Sequence, residues 1–263
     1  MKRLTLASDV EFEGLGLHTG VTVKVRVRPA EDGIHFRAGQ HRWEARPENV
    51  TDTTRCTKLG EVSTIEHIMS AFAGLEITDV EIEVEGGELP ALGGCSIGYV
   101  DAFRETGLKD LGEFEPKSPF KRVYLEADHV KIAIGKGDGH WGFTYDVGER
   151  WPHQQTFECP HIIDCYEKDI APARTFALAE EIPMVVQMGL GKGLDESSAL
   201  ILGEGGYKND ARFQDEPARH KLLDFLGDLY LAGVPARLLN ASATGSGHRT
   251  HVQAAKLLLE HLS

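Results

Sequence analysis

The sequence of 263 residues has only four cysteines, fewer basic than acidic residues and no long apolar run. No two of these cysteines form a Cys-x-x-Cys pair, so neither a disulfide scaffold nor a zinc ribbon is indicated. Lysine and arginine total 28 against 41 aspartates and glutamates, which gives a formal charge of −13. Nucleic acids and anionic membranes both attract basic surfaces. We therefore expect no nucleic-acid partner and no electrostatic docking on a membrane.

The sequence also shows no targeting segment. Its first residues, "MKRLTLASDVEFEG", include two basic side chains but no apolar stretch behind them, and no later run is long enough to span a bilayer. These observations predict a cytoplasmic protein with reduced thiols and no stable membrane insertion. We also expect a monomer, although no feature of the sequence determines the oligomeric state. Cys159 and Cys165 flank His161, but this spacing fits no usual zinc site. Ordinary half-buried thiols are therefore favoured over a metal loop.

Apolar periodicity predicts a mixture of strands and helices. "VTVKVRVRP" and "DVEIEVEG" alternate apolar and polar residues, as half-buried strands do. "STIEHIMSAFAG", which lies between them, has apolar residues at helical spacing. Strand patterns joined by Gly and Asp turns return in the second half of the chain. The fold class is therefore predicted to be α+β.

The chain divides into two parts that echo each other. Residues 113–122 hold two prolines and few apolar side chains, so they are the best candidate for a linker. This places an N-terminal domain at 1–115 and a C-terminal domain at 116–263. Residues 67–80 and 220–234 are each a helix led by histidine, followed by a turn and an apolar strand. We expect a duplicated α+β unit.

The second of these helices, "ARHKLLDFLGDLYLAG", carries His220, Asp224 and Asp228 at four-residue steps on one face. A histidine and an aspartate one helical turn apart can bind a single metal ion, although a surface pair is the common alternative. That face also contains Gly227 and only one lysine, Lys221. Solvated helix faces usually carry more charge, so the metal interpretation gains weight.

Two further histidines offer candidate functional groups. His67 lies on a helix face with small residues, which leaves room for a ligand to approach. Glu66 beside it fits a capping box with Ser63, in which its carboxylate would bond the start of its own helix. His248 follows a glycine-rich turn and is either a turn residue or a catalyst. The chain has no HExxH motif, so a zinc protease is not indicated.

Taken together and in order, these motifs resemble one family, the UDP-3-O-acyl-N-acetylglucosamine deacetylases, which are zinc enzymes of lipid A biosynthesis. The resemblance extends from about Gly14 to Leu258. It is carried by "GLGLHTG", "STIEHIMSAFAGLEITDVEIEVEGGELP", "IAPARTF", "GLGKGLDESSALIL", "RHKLLDFLGDLYLAG" and "SGH". The resemblance implies two similar α+β layers packed as a sandwich, with the active site between them.

The same resemblance implies a metal centre. His67, His220 and Asp224 would bind one Zn²⁺ per chain, in the usual catalytic pattern of three protein ligands and one open position. These ligand types do not exclude iron(II).

The resemblance also implies roles around this metal. Glu66 would be the general base, and His248 the cation that stabilises the oxyanion or protonates the leaving amine. Asp228 would orient His248, and Thr175 would donate a hydrogen bond to the oxyanion.

Substrate residues follow in the same way. Lys221 matches a phosphate-contacting lysine of the family, and Phe176 matches an aromatic residue beside the sugar. Residues 180–193 correspond to an insert that forms an apolar acyl passage, although an ordinary buried element is an equal alternative. The candidates for its lining are Ile182, Met184, Val185, Val186, Met188 and Leu190.

The sequence departs from the family pattern at the nucleotide end of the site. Gly245 stands where a phosphate-binding lysine is typical, and Val147–Arg150 replaces an aromatic segment that packs on uridine. Gly93 replaces an acidic residue, and the loop from Thr53 to Val62 is short. Three hypotheses therefore remain: the deacetylase of the acylated UDP-sugar, a paralogue acting on another N-acetyl amino sugar, and a non-catalytic sugar-lipid binding protein.

Overall fold

The structure, a computed structural model, describes residues 1–262. The predicted second domain, residues 116–263, is therefore described except for its last residue. Nine strands of the described chain precede residue 114: β1 (Lys2–Leu6), β2 (Val10–Leu15), β3 (Thr22–Pro29), β4 (Ile34–Ala38), β5 (His41–Glu44), β6 (Val50–Asp52), β7 (Lys58–Leu59), β8 (Val80–Glu85) and β9 (Leu108–Glu113). Seven follow: β10 (Val123–Ala127), β11 (Val130–Lys136), β12 (Trp141–Asp146), β13 (Gln154–Cys159), β14 (Phe176–Leu178), β15 (Leu200–Leu202) and β16 (Leu239–Thr244). The α-helices are α1 (Glu66–Leu75), α2 (Ile97–Thr106), α3 (Ile162–Cys165), α4 (Ile182–Gln187), α5 (Glu216–Tyr230) and α6 (His248–Leu259).

Two five-stranded sheets share one topology. Their orders are β2-β3-β8-β4-β5 and β10-β11-β16-β12-β13. In each sheet the last strand along the chain takes the middle position, antiparallel to one neighbour and parallel to the other. A long helix precedes that middle strand in both cases, α1 before β8 and α5 before β16. The predicted α+β class with two similar units is confirmed.

The strand patterns explain which faces are buried. In β3, Val23, Val25 and Val27 point into the core while the charged residues between them face solvent. Val21, which continues this alternation in the sequence, lies before the strand and is exposed. The buried faces of both sheets and of α1 and α5 form one apolar core.

Helices α1 and α5 cross in the centre of the molecule with their backbones unusually close. Every residue of α1 is buried. A Cβ atom placed on Gly227 of α5 would lie 2.0 Å from the carbonyl oxygen of Glu66, so only glycine fits at this crossing. The predicted small-residue face therefore serves helix packing. The close approach brings His67 on α1 against the polar face of α5.

Replacing Gly227 by alanine is expected to destabilise the protein by about 1–3 kcal/mol, because the added methyl group must push the two helices apart. Gly205 is the matched control, since a Cβ atom there meets nothing within 4 Å. Chemical denaturation of both variants measures the difference. Equal stability of Gly227→Ala and Gly205→Ala would show that the crossing tolerates a side chain.

The predicted linker holds neither helix nor strand between β9 and β10. Pro119 within it forms an isolated bridge with Leu262 near the end of the described chain. Over residues 1–262, we find no helix with the length and apolar character needed to cross a bilayer.

Candidate metal centre and active site

A cavity of about 590 Å³ opens between the two units. Its wall contains residues from the N-terminal half, among them His18, Thr64, Glu66 and His67. Residues of the C-terminal half complete it, among them Tyr145, Thr175, Phe176, Leu190, His220, Lys221, Asp224 and His248. The site therefore lies between the two layers.

His67, His220 and Asp224 meet at the bottom of this cavity. Their potential ligand atoms all lie within 4.8 Å of one another, and all three side chains are almost fully buried. Asp224 Oδ1 is 3.4 Å from His220 Nε2 and 3.7 Å from His67 Nε2. One turn of α5 separates His220 from Asp224, and the crossing of α1 supplies His67.

The protonation of this triad suits a cation. The Nδ1–H of His220 donates to the carbonyl oxygen of Ala173 at 3.0 Å, so its Nε2 keeps a free lone pair directed at Asp224. Burial lowers the pKa of His67 to about 3 and also lowers the pKa of His220, so both imidazoles are neutral near pH 7. Burial would raise the pKa of Asp224, but Lys221 and the neighbouring imidazoles hold it below its usual value.

Asp224 Oδ1 is buried and has no hydrogen-bond donor, whereas Oδ2 accepts from Lys221 Nζ at 2.9 Å. Leaving a buried carboxylate oxygen unpaired is costly. Two imidazole lone pairs beside it make a donor set that zinc and other divalent transition metals bind well. The residues present therefore fit a metal ion.

Asp228, His248 and His251 form a second close group. Its facing atoms are already joined, because Asp228 Oδ2 accepts from His248 Nδ1 at 2.9 Å and from His251 Nδ1 at 3.0 Å. Thr57 Oγ1 donates to the other oxygen, Oδ1, at 2.6 Å. The facing atoms of this group, which could otherwise bind a metal ion, are therefore already engaged in hydrogen bonds.

The Glu66 carboxylate contacts an earlier loop and does not cap its own helix. Helix α1 begins at Glu66 itself, after a left-handed Thr64, and the Glu66 carboxylate accepts from the backbone N–H of Thr57 at 2.9 Å. The predicted alternative, a capping box with Ser63, is therefore wrong. Glu66 Oε1 faces His248 Nε2 at 3.9 Å. Burial raises the pKa of Glu66 to about 8, and the charge of His248 opposes this rise.

His248 is the first residue of α6 and points back towards Glu66. Burial would lower the pKa of His248, but Asp228 and Glu66 together raise it to about 9. The imidazole is therefore positively charged near neutral pH and presents its Nε2–H to the cavity.

The substrate candidates divide into two sets. Thr175, Phe176 and Lys221 line the cavity, and Lys221 Nζ lies 5.5 Å from the centre of the Phe176 ring. Among the predicted acyl-passage residues, Val185 and Leu190 also line it.

The structure does not bring Met184, Val186 and Met188 to that wall, contrary to expectation. They are 45%, 65% and 53% exposed. Helix α4 turns Val185 inwards and its neighbours Met184 and Val186 outwards, and Met188 lies just after the end of this helix. Ile182 is partly buried and is likewise not part of the wall.

The departures from the family pattern have structural counterparts. Gly245 has φ +59°, and a Cβ atom on it would lie 3.0 Å from the His129 ring. A lysine would therefore be strained there. Val147 and Arg150 line the cavity, and Arg150 pairs with Glu181 at 3.1 Å. Gly93 is a left-handed residue with open space around it.

Several residues of the site escaped sequence analysis. His18 of the "GLGLHTG" motif lines the cavity, and Glu88 holds that loop by accepting from the backbone N–H groups of His18 and Thr19. His251 could have been noticed from its place three residues after His248. Thr57 and Glu88 give no such signal, because their partners are distant in sequence.

Comparison with known proteins agrees with this geometry. A family model described as UDP-3-O-acyl N-acetylglycosamine deacetylase (LpxC) matches residues 3–260. Curated proteins named UDP-3-O-acyl-N-acetylglucosamine deacetylase are similar over nearly the whole chain. The Nostoc sp. protein is 33% identical over 98% of this chain and 99% of its own length, and the Nitratiruptor sp. protein 32% over 99% and 91%. The Geobacter sp. (strain M21) protein is 35% identical over 93% and 84%. The chain belongs to the UDP-3-O-acyl N-acetylglycosamine deacetylase family.

Proposed function

We propose that the protein removes acetate from the N-acetyl group of UDP-3-O-acyl-N-acetylglucosamine in lipid A biosynthesis, with one zinc ion per chain. The observation that carries this proposal is the unpaired, buried Asp224 Oδ1 between the Nε2 atoms of His67 and His220. Glu66 and His248 stand in the same cavity, with Glu66 Oε1 3.9 Å from His248 Nε2. A binding protein would not need this combination.

His67, His220 and Asp224 would hold the zinc ion. When bound, zinc supplies a Lewis acid that polarises the amide carbonyl and makes water a stronger nucleophile near neutral pH. The Ala173 carbonyl fixes the tautomer of His220, and Lys221 neutralises part of the Asp224 charge.

Glu66 is the proposed base. Thr57 anchors its Oε2, which leaves Oε1 free to take a proton from the attacking water. A base must be ionised, and the charge of His248 together with a cation beside His67 favours that form. Attack on the amide carbon places negative charge on its oxygen, to which the Thr175 hydroxyl is proposed to donate.

His248 is the proposed acid. Its Nε2–H faces the cavity, while Nδ1–H is held by Asp228. Transfer of the Nε2 proton to the departing nitrogen allows the carbon–nitrogen bond to break, which gives acetate and a free amino sugar. Before that step, the positive imidazolium stabilises the oxyanion.

Substrate binding is proposed to rest on the residues at the cavity wall. Lys221 would contact a phosphate and Phe176 the sugar ring, while Val185 and Leu190 would border the acyl chain. We also propose that residues 1–115 and 116–263 are two domains, and that the protein is a cytoplasmic monomer.

Acetate release tests the function and separates the alternatives. Zinc-loaded protein is expected to release one acetate per amine formed from UDP-3-O-acyl-N-acetylglucosamine. The 3-O-acyl sugar without UDP serves as the comparison substrate. A higher kcat/KM on that sugar would favour the paralogue hypothesis, and no acetate from either compound would favour the binding protein.

The pH profile tests His248. Its raised pKa means that the proton is present below the ordinary histidine pKa and is lost as the pH rises through about 9. We therefore expect kcat/KM to fall above about pH 9. The His248→Gln variant should lack this limb and lose roughly 10²–10⁴-fold in rate. His129→Gln is the matched control, since His129 also lines the cavity. An unchanged limb in His248→Gln would assign the titration to another group.

Nucleotide binding gives another test. Lys221 is the one lysine on the cavity wall in the described chain, and it already pairs with Asp224. Gly245 stands where the family typically has a second, phosphate-binding lysine. UDP alone is therefore expected to bind weakly, with Kd above about 0.1 mM. Lys221→Ala should weaken substrate binding by about 10–150-fold, because a charge-assisted contact to phosphate is worth roughly 1.5–3 kcal/mol.

Isothermal calorimetry measures both quantities. Lys131→Ala is the control, because Lys131 is exposed and pairs only loosely with Glu126, at 3.9 Å. Micromolar binding of UDP would show that other residues take the place of the lysine that Gly245 replaces.

A further inference from the structure

A second histidine, His251, stands behind Asp228 and fully out of contact with solvent. It lies on α6, three residues after His248, so both imidazoles project from the same side of the helix. Their Nδ1 atoms approach the same oxygen, Asp228 Oδ2, at 2.9 Å from His248 and 3.0 Å from His251. The site therefore contains two imidazoles on one carboxylate oxygen.

The hydrogen bonds of His251 fix its protonation. A carboxylate only accepts, so Nδ1 of His251 carries the proton that it donates to Asp228. Its Nε2 lies 2.8 Å from Ser246 Oγ and accepts the hydroxyl proton. Burial lowers the pKa of His251 and keeps the ring neutral.

The ring of His251 is also fixed in direction. It packs against Phe143 and Phe225, with ring centres 6.2 Å and 5.0 Å away. Thr57 occupies the other oxygen of Asp228 at 2.6 Å. The carboxylate is thus held by three donors from two segments of the chain, and it cannot rotate without breaking one of these bonds.

We propose that His251 is a positioning residue. Its hydrogen bond fixes Asp228 Oδ2, so that His248 presents Nε2 to the cavity, and it also weakens the effect of the Asp228 charge on His248. This inference rests on the proposed role of His248 as the acid. The Ser246 hydroxyl fixes the His251 ring from its other side by donating a hydrogen bond to Nε2.

Other charged and titratable groups face His248 from the packed elements. Glu66 of α1 lies 3.9 Å from its Nε2, Asp228 and Asp224 belong to α5, and His18 comes from the loop between β2 and β3. Of the described groups, His251 is the one histidine that shares the Asp228 oxygen with His248. Loss of His251 should therefore raise the pKa of His248, because the negative charge of Asp228 would then be hydrogen-bonded to only one imidazole.

The experiment uses the full zinc-loaded chain with three substitutions. His251→Phe keeps a ring in the aromatic pocket but removes both hydrogen bonds. His251→Asn places an amide N–H where Nδ1 stands. His261→Asn is the control, since His261 packs on Phe120 away from the site. Nitrogen-resolved NMR of the imidazoles follows the titration of His248 without substrate, and steady-state kinetics give kcat and KM.

In His251→Phe we expect the His248 midpoint to rise by about 0.5–1 pH unit and kcat to fall about tenfold or more, with KM and zinc content little changed. His251→Asn should bring both quantities back towards the values of the unmodified protein. An unchanged midpoint in folded His251→Phe would overturn the proposal, as would an equal loss of kcat in both variants. If His251→Phe does not fold, His251→Leu takes its place with the same expectations. Because the midpoint is read without substrate, the two failures can be told apart: a shifted midpoint in a protein that releases no acetate would overturn the proposed function but would still show that His251 acts on His248 through Asp228.

Discussion

Replacing Asp224 by alanine is expected to remove the bound zinc and to lower kcat/KM by roughly 10³-fold or more, since the metal supplies the electrophile for the reaction. Asp224 gives one of three proposed ligands, and its Oδ1 has no other partner in the structure. The loss of its charge also leaves the partly buried Lys221 without its ion-pair partner, beside two neutral imidazoles. Elemental analysis of the purified variant measures zinc directly.

Two controls separate metal loss from unfolding. Asp224→Asn keeps the volume of the side chain but removes its charge. This variant should therefore fold normally but bind zinc much more weakly than the unmodified protein. Asp101→Ala changes an exposed aspartate on α2 and should keep full zinc and activity. Folded Asp224→Ala with one zinc per chain would contradict the assignment of this ligand.

Replacing Glu66 by glutamine is expected to cost about 10²–10⁴-fold in kcat while zinc content and stability stay unchanged. The glutamine carbonyl oxygen can still accept from the backbone N–H of Thr57, so the start of α1 is preserved. What is lost is the charge needed to take a proton from water.

Glu76→Gln is the matched control, because Glu76 directly follows the last residue of the same helix and pairs with Arg237, away from the cavity. We expect this variant to keep its rate. If Glu66→Gln retained nearly full activity, the base would have to be sought elsewhere in the cavity.

The sequence predicted the fold well where periodicity was strong. The alternating valines of β3 and the apolar spacing of α1 identify their elements without further information. Part of the candidate metal site was also predictable, since His220 and Asp224 share a helix face by geometry alone. His67 was a candidate from its own helix, but its meeting with His220 and Asp224 followed only from the family resemblance, because local spacing does not reveal that α1 crosses α5.

Other features depended on contacts that sequence spacing does not encode. The Ser63–Glu66 spacing satisfied the capping-box pattern, yet Thr57 reached the Glu66 carboxylate from an earlier loop. The segment around α4 is apolar at almost every position, so no periodicity could show that Val185 faces inwards and Met184 outwards. His251 met Asp228 only because α6 packs on α5 in one particular rotation.

The position of the metal ion is the most direct test of the proposed chemistry. Crystals of zinc-loaded protein, measured at the zinc absorption edge, give an anomalous difference map that shows zinc alone. We expect one peak per chain, about 2.0–2.2 Å from His67 Nε2, His220 Nε2 and an oxygen of Asp224. The proposed chemistry would be contradicted by a peak in the Asp228–His248–His251 group instead. It would also be contradicted if a crystal with one zinc per chain showed no peak at the His67–His220–Asp224 group.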